Sequence, residues 1–226
     1  MLEGFHALKH ALRFGAAIET VVAIDPAALD ALAATLAPDL AGRFPCHRVP
    51  ADLFAALAPS PIETGVIALA GRPVIEPGAV LHEADGPVVL LEGPTHHGNV
   101  GAVVRVAAAA ETAAVLTTGP LDPWHPVALR GSAGLHFALP VGRLETLPET
   151  ERLLITLDPA GDPLDPTSLP KQAIYAFGSE RRGLSPALLD RADQRLALPM
   201  REGVSSLNLA TTVAAVLYAL QLRPRA

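Results

Sequence analysis

The chain has 226 residues, half of them apolar and 18% charged, with a formal net charge of −6. This length and composition are typical of a globular protein that buries a sizeable core in one large domain or two small ones. The acidic total disfavours a protein that binds nucleic acid over its whole surface. A local basic patch that binds nucleic acid is compatible with this total, since 15 of the 17 basic residues are arginine.

The cysteine content and the apolar runs indicate a cytoplasmic protein with no membrane partner. The single cysteine, Cys46, excludes an intramolecular disulfide framework and favours a reducing compartment. The first 15 residues, MLEGFHALKHALRFG, carry charges throughout, which argues against a secretory signal. The longest apolar stretch, 207–222, contains Asn208 and Gln221 as well as two threonines, and predicts a buried helix instead of a membrane span.

Helical and strand-like patterns alternate over about the first 70 residues. The helices are expected at 5–14, 26–36 and 51–57, and the strands at 18–24, 46–49 and 65–70. A stretch rich in proline and glycine, 71–87, then interrupts all periodicity. The sequence therefore predicts a small α/β domain over 1–72 and a linker over 73–86.

From residue 87 the alternation resumes with strands that are apolar on both faces. Such strands belong in a parallel sheet covered by helices on both sides. The second predicted domain, over 87–226, is therefore α/β as well. Its strands are expected within PVVLLEG, AAVLTTG, LHFALPV, RLLITLD, AIYAFGS and RLALPM.

Three loops that follow these strands combine glycine with polar residues, and ligands of parallel sheets bind at such loops. The first, THHGNVGAVVR, holds Asn99, which we expect to cap the next helix, and Arg105 in its second turn. The second is FGSERRGLS, at 177–185, and the third is LPMREGVSSLNLA, at 198–210. Each loop alone is explained by ordinary turn and capping chemistry.

Together the loops resemble the motifs of the SpoU (TrmH-type) RNA 2′-O-ribose methyltransferases of the SPOUT superfamily. The first family motif, Asn-x-Gly-x-x-x-Arg, matches Asn99, Gly101 and Arg105. The second, Gly-x-Glu-x-x-Gly-Leu, matches Gly178, Glu180, Gly183 and Leu184. The third, a Pro-Met turn leading to Ser-Leu-Asn, matches Pro199, Met200, Ser206, Leu207 and Asn208.

Two further segments extend the resemblance over nearly the whole chain. Residues 122–141 resemble a family segment with the pattern Pro-x-x-x-Arg-x-Ser-x-Gly. The opening EGFHALKHALRFGA resembles the start of a small ribosomal-protein-like substrate-binding domain. Departures from the family pattern are His96 and His97 before the first motif, Arg181 in the second, and Leu209 and Ala210 after the third.

The resemblance implies a trefoil-knotted parallel-sheet domain that binds S-adenosylmethionine and completes its active site across a homodimer. By motif position the cofactor-binding residues are Gly178, Leu198 and Leu207. The implied reaction is methyl transfer to a ribose 2′-hydroxyl of RNA, and the amino-terminal domain favours ribosomal RNA over tRNA. The implied catalytic residues are Arg105, Asn99, Glu180, Ser206 and Asn208.

Several interpretations remain open from the sequence. Arg105 is either a general base or a cation that orients the hydroxyl and its phosphate, because a guanidinium is a poor base. His96 and His97 favour a loop role over a metal site. Arg181 and Arg182 are either solvated or part of an RNA-binding patch.

The rival functions are a non-catalytic RNA-binding or ribosome-assembly protein and a small-molecule enzyme that binds another nucleotide. The first has no need of all five catalytic-type residues, and the second lacks its phosphate-binding glycine loop.

Overall fold

A computed structural model describes residues 1–58 and 60–223. The first part of the chain forms a four-stranded sheet with the strand order β1-β4-β2-β3. Strand β4 is antiparallel to β1 and β2, and β3 is parallel to β2. The elements in chain order are β1 (Leu2–Glu3), α1 (Phe5–Arg13), β2 (Ile18–Ala23), α2 (Pro26–Leu36), β3 (His47–Arg48), α3 (Ala51–Leu57) and β4 (Val66–Ala70).

The helices of this part begin and end where the sequence patterns indicate. Helix α2 begins with Pro26 after Asp25, whose carboxylate accepts hydrogen bonds from the amides of Ala27 and Ala28 at 3.0 and 3.3 Å. Helix α1 buries its apolar face, including Phe5 and Leu8, in an apolar cluster that contains residues of this sheet and of the later part of the chain. Strand β1 is too short to be predicted from a pattern of alternation.

The segment predicted as an aperiodic linker, 73–86, contains a helix, α4 (Pro77–Glu83). Pro77 stands at the first position of this helix, and Leu81 is buried in a second apolar cluster with Val88 and Leu90. Arg152 donates hydrogen bonds to the carbonyl of Leu81, within the last turn of α4, and to the carbonyls of Ala84 and Gly86, just after the helix. The sequence pattern did not predict this helix, which one buried leucine and three carbonyl contacts hold in place.

The second sheet has six parallel strands in the order β10-β8-β9-β5-β6-β7, which confirms the predicted parallel α/β fold. An α-helix follows four of its six strands along the chain. The elements are β5 (Val88–Leu91), α5 (His97–Ala109), β6 (Ala114–Thr117), α6 (Pro126–Gly131), β7 (Val141–Arg143), β8 (Leu153–Pro163), β9 (Ala173–Phe177), α7 (Pro186–Asp190), β10 (Gln194–Ala197) and α8 (Leu209–Leu222).

The strand predicted at LHFALPV is largely absent. Residues Leu135–Phe137 form a 3₁₀ helix, and β7 begins only at Val141. The 3₁₀ turn follows Gly134, which has a left-handed φ of +78°. It buries His136, whose imidazole contacts Ser132 Oγ at 2.7 Å and the Pro123 carbonyl at 2.8 Å. The segment that the pattern assigned to a strand therefore forms a turn around a buried histidine, and both ring nitrogens of this histidine have hydrogen-bond partners.

The two sheets share one continuous apolar core. Gly134 lies so close to α1 that a Cβ at this position would be 2.4 Å from the Ala7 carbonyl oxygen. Arg130, on α6, forms an ion pair with Glu3 at 2.8 Å. Within the described ranges, no helix has both the length and the apolar character needed to cross a membrane.

Candidate active site

The loop after β9 is a tight turn that places Glu180 at the carboxyl edge of the parallel sheet. The backbones of Ser179 and Gly183 exchange two hydrogen bonds across it, at 3.1 and 2.9 Å. Gly183 has a φ of +66°, a conformation that favours glycine. A Cβ on Gly178 would lie 2.1 Å from the carbonyl carbon of Gly183. The turn therefore requires glycine at both positions.

Glu180 accepts three hydrogen bonds that join this turn to the loop after β5. Its Oε2 accepts from the Thr95 hydroxyl at 2.7 Å and the Thr95 amide at 3.3 Å, and its Oε1 accepts from Asn99 Nδ2 at 2.6 Å. Partial burial acts to raise the pKa of Glu180, but the hydrogen bonds from Asn99 and Thr95 outweigh it and hold the pKa below its usual value. The carboxylate is therefore ionised and fixed in orientation at neutral pH.

Asn208 extends this network to the third loop. Its Nδ2 donates to Asn99 Oδ1 at 3.3 Å, and its own Oδ1 accepts from the amides of Ala210 and Thr211. Asn208 is thus the N-cap of α8, as well as a partner of Asn99. One asparagine therefore serves both the helix start and the polar network.

The prediction that Asn99 caps α5 was wrong. Helix α5 begins at His97, so Asn99 lies inside its first turn, and the N-cap residue, His96, offers no side-chain cap. The helix begins three residues earlier than the asparagine suggested, which is nearly one full turn. This placement also moves Arg105 from the second turn of α5 to the third and leaves the Asn99 side chain available to Glu180 and Asn208.

A cavity of about 530 Å³ lies beside this network, beyond the carboxyl ends of β9 and β10. Its apolar lining comes from Leu157, Phe177, Leu196, Leu198, Met200, Leu207 and Leu209. Its polar groups include Asp158, Glu180, Ser206 and Asn208. A concave site of this size, with apolar walls and a few polar groups, suits a nucleotide-sized ligand.

Glu92 fixes the far end of the Gly178–Gly183 turn. Its Oε2 accepts from the Ser185 amide at 2.6 Å and its Oε1 from the Ser185 hydroxyl at 2.7 Å. The Ser185 hydroxyl also accepts from the Leu188 amide as the N-cap of α7. Neither Glu92 nor Thr95 stands at a motif position, so neither was predicted as a site residue. The available signal was position, because Glu92 directly follows β5 and Thr95 lies in the same loop.

The structure brings seven of the eight predicted site residues together and places the eighth elsewhere. Gly178, Glu180, Leu198, Ser206, Leu207 and Asn208 line the cavity, and Asn99 is bonded to two of them. Arg105 is exposed in a different cavity, of about 680 Å³, that α5 and α6 form with α1. In the single chain, therefore, the guanidinium does not line the same pocket as the other residues.

His97, the first residue of α5, makes a packing contact with His125. The rings of His97 and His125 stack with centroids 4.0 Å apart. Burial, followed by the charge of His125, lowers the pKa of His97, although Asp122 opposes the shift. His125 also caps α6, because its Nδ1 accepts from the Val127 amide at 3.2 Å. The stack of His97 on His125 thus joins the start of α5 to the start of α6.

Comparison with known proteins points to one family. The model of the SpoU rRNA Methylase family matches residues 86–218. An uncharacterised tRNA/rRNA methyltransferase of Mycobacterium tuberculosis is 36% identical over 204 residues, which cover 82% of this chain and 69% of that protein. The Bacillus subtilis 23S rRNA (guanosine(2553)-2′-O)-methyltransferase RlmP is 26% identical over 231 residues, covering 98% of this chain and 88% of that protein.

Solved structures show the same fold. The crystal structure of the SpoU methyltransferase AviRb from Streptomyces viridochromogenes, in complex with AdoMet, superposes with a TM-score of 0.77. The identity is 23%, over 97% of this chain and 88% of that one. The likeness includes the amino-terminal part of the chain as well as the six-stranded sheet.

Proposed function

The chain belongs to the SpoU rRNA methylase family, and we propose that it transfers a methyl group from S-adenosylmethionine to a ribose 2′-hydroxyl of RNA. One observation carries the proposal. The cavity beyond β9 and β10 is lined by the three residues that the family resemblance assigns to the cofactor, Gly178, Leu198 and Leu207, and it adjoins the Asn99–Glu180–Asn208 network.

The chemistry of the cavity fits this cofactor. Leu198 and Leu207 offer apolar cover for an adenine ring, and the turn at Gly178 brings backbone groups to the wall. Asp158 and Glu180 place two carboxylates in a lining that also contains Arg181, and these carboxylates suit the sulfonium and ammonium groups of the cofactor. When bound, S-adenosylmethionine supplies an activated methyl group. The protein must then align that group with the hydroxyl and assist the loss of the hydroxyl proton.

The polar residues divide this work. Glu180, held ionised by Asn99 and Thr95, orients the turn and the amide of Asn99. Ser206 and Asn208 orient the substrate nucleotide from the entrance of α8. Arg105 binds the target ribose and its phosphate as a charged group, and the proton passes to phosphate or water. A guanidinium meets this role without giving up its own proton.

A second copy of the chain completes the site. Arg105 lies outside the cavity that holds the other predicted residues, so it reaches a cofactor only if another copy presents one. Val204, Leu207, Tyr218 and Leu222 leave exposed apolar area along the carboxyl-terminal segment. A homodimer that covers this area accounts for both observations.

The remaining parts of the proposal follow the family. Residues 1–72 form the RNA-binding domain, 73–86 the linker and 87–226 the knotted methyltransferase domain. The β7–β8 connection, which spans three intervening strands, supports a crossed topology of this kind. The substrate is ribosomal RNA, because the RlmP relative spans the amino-terminal part of this chain as well. The protein then acts in the cytoplasm, where ribosomes are assembled.

Mapping of ribose methylation tests the proposal. Ribosomal RNA and tRNA from cells with and without this gene are compared for 2′-O-methyl groups, and the purified protein is titrated with S-adenosylmethionine and with NAD by calorimetry. We expect one ribosomal RNA site to lose its methyl group and only S-adenosylmethionine to bind. Unchanged RNA together with no cofactor binding would instead favour a non-catalytic RNA-binding protein.

A further inference from the structure

The cavity around Arg105 is built from both parts of the chain. Helix α1 contributes His6 and Lys9, and β1 contributes Glu3. The second domain contributes Arg105 from α5 and Arg130 from α6. Its volume of about 680 Å³ is large enough for a nucleotide. The family motifs assign a role to Arg105, but they assign none to the α1 residues that face it.

The cavity holds uncompensated positive charge on an otherwise acidic protein. Arg130 is neutralised by Glu3, whose Oε2 lies 2.8 Å from Arg130 Nη1. In residues 1–58 and 60–223, neither Lys9 nor Arg105 forms an ion pair. Burial, and then the charges of Lys9 and Arg105, lower the pKa of His6, which shows that both cations act on the same space. The remaining carboxylate of the lining, Glu63, is exposed.

The cavity also holds a buried hydrogen-bond acceptor with no partner. The Glu3 side chain is 3% exposed, and no donor in the described ranges reaches its Oε1. A buried polar atom left without a hydrogen bond costs free energy, so such atoms are usually satisfied by a ligand or by water. Two free cations beside one free carboxylate oxygen suit a ligand that carries both an anion and a hydroxyl or amino donor.

We propose that this cavity binds one nucleotide unit of the substrate RNA, with Lys9 and Arg105 holding a backbone phosphate and Glu3 Oε1 accepting a hydrogen bond from the same nucleotide. The amino-terminal domain then forms part of the active-site wall itself. This inference rests on RNA being the substrate. Lys9 is a positioning residue for the RNA, and Glu3 accepts a hydrogen bond from the same nucleotide. The ion pair with Arg130 reduces the repulsion between the Glu3 carboxylate and the phosphate.

The two lysines of the chain provide a matched test. Lys9→Ala removes the proposed phosphate contact, and Lys171→Ala removes an exposed lysine outside this cavity. Binding of a fluorescein-labelled single-stranded RNA of mixed sequence is measured by anisotropy at several salt concentrations. We expect Lys9→Ala to weaken binding by about fivefold, as for one exposed charged contact, and to lower the salt slope by about 0.7. Lys171→Ala leaves both unchanged.

Kinetics distinguishes failure of this inference from failure of the proposed function. With ribosomal RNA from cells lacking the gene as methyl acceptor, Lys9→Ala should raise the KM for RNA and leave kcat and S-adenosylmethionine affinity unchanged. Wild-type methyl transfer with a Lys9→Ala protein indistinguishable from Lys171→Ala would overturn the nucleotide site alone. A wild-type protein that transfers no methyl group would overturn the proposed function, while the salt slope would still test the phosphate contact. Thermal melts confirm that both variants fold.

Discussion

Asn99 and Glu180 stand 81 residues apart in the chain, and a hydrogen bond of 2.6 Å joins Asn99 Nδ2 to Glu180 Oε1. Asn208, a further 28 residues along, donates to the same Asn99. Three loops that look independent in the sequence are therefore locked into one polar network. Because each side chain holds the next in orientation, removing one member should disturb the others.

Glu180→Gln tests the centre of this network. The amide has one acceptor oxygen where the carboxylate has two, so it must face Asn99 or Thr95 with a donor against a donor. We expect a loss of about 1 kcal/mol in the free energy of unfolding and a fall in methyl transfer on the order of 10²-fold. Urea unfolding and a radiolabel transfer assay measure the two effects.

The pH dependence of the same variant follows from the lowered pKa of Glu180. A carboxylate with a lowered folded-state pKa stabilises the protein above its ordinary pKa of 4.5 and loses that contribution as the pH falls through the folded value. The stability difference between wild type and Glu180→Gln should therefore shrink below pH 4.5. Glu145→Gln, at an exposed position, serves as the control.

For the activity prediction, equal methyl transfer by Glu180→Gln and Glu145→Gln would show that the network has no catalytic role.

Gly101→Ala tests the packing of the first motif. A Cβ at Gly101 would lie 2.2 Å from the Ala128 carbonyl oxygen, so α5 and α6 must separate. We expect destabilisation of about 1–3 kcal/mol, measured by urea unfolding. Gly98→Ala, on the same helix, meets nothing within 4 Å and should be neutral or stabilising by up to about 1 kcal/mol. A stable Gly101→Ala protein would mean that this glycine serves the ligand instead of the helix contact.

Because His136 is buried, we expect the free energy of unfolding to fall at mildly acidic pH. Burial lowers its pKa from 6.5 to about 4, with the hydrogen bond to Pro123 opposing the shift. Between these values the unfolded chain binds a proton that the folded chain does not, so stability falls as the pH is lowered. From pH 7.5 to pH 5 the His136 contribution amounts to about 2 kcal/mol. Urea unfolding of wild type and His136→Asn should show this difference in slope, and parallel pH profiles would contradict it.

Arg105→Ala should abolish methyl transfer and leave cofactor binding intact. Arg105 lies outside the cavity assigned to S-adenosylmethionine, so calorimetry should give the wild-type affinity. Methyl transfer should fall by about 10²-fold or more, since a positioned charge at the reacting group is lost. Arg48→Ala removes an exposed arginine outside both cavities and is the control for that loss. An Arg105→Ala protein as active as Arg48→Ala would remove Arg105 from the mechanism.

Local patterns predicted most helices and strands and the parallel sheet, because the buried strands are apolar on both faces. The same patterns did not predict the elements that are stabilised by residues far away in the chain. The 3₁₀ turn at Leu135–Phe137 forms because Pro123 and Ser132 satisfy His136. Helix α4 forms because Arg152, far along the chain, binds the carbonyls at its end.

The site was predictable in its members and not in its arrangement. Motif spacing identified Asn99, Glu180 and Asn208, but the hydrogen bonds that join them depend on tertiary structure. The side chain of Asn99 could equally have capped α5 on the sequence alone. Nothing in the sequence indicated that Arg105 shares a cavity with residues of α1, because only tertiary structure brings these two helices together.

The most direct test of the central claim is methyl transfer with identification of the labelled atom. The purified protein is incubated with methyl-labelled S-adenosylmethionine and ribosomal RNA from cells lacking the gene, and the RNA is then hydrolysed in alkali. A 2′-O-methyl group removes the hydroxyl that attacks the neighbouring phosphate, so label in alkali-resistant dinucleotides is the predicted result. Label in mononucleotides, or no transfer at all, would contradict the account.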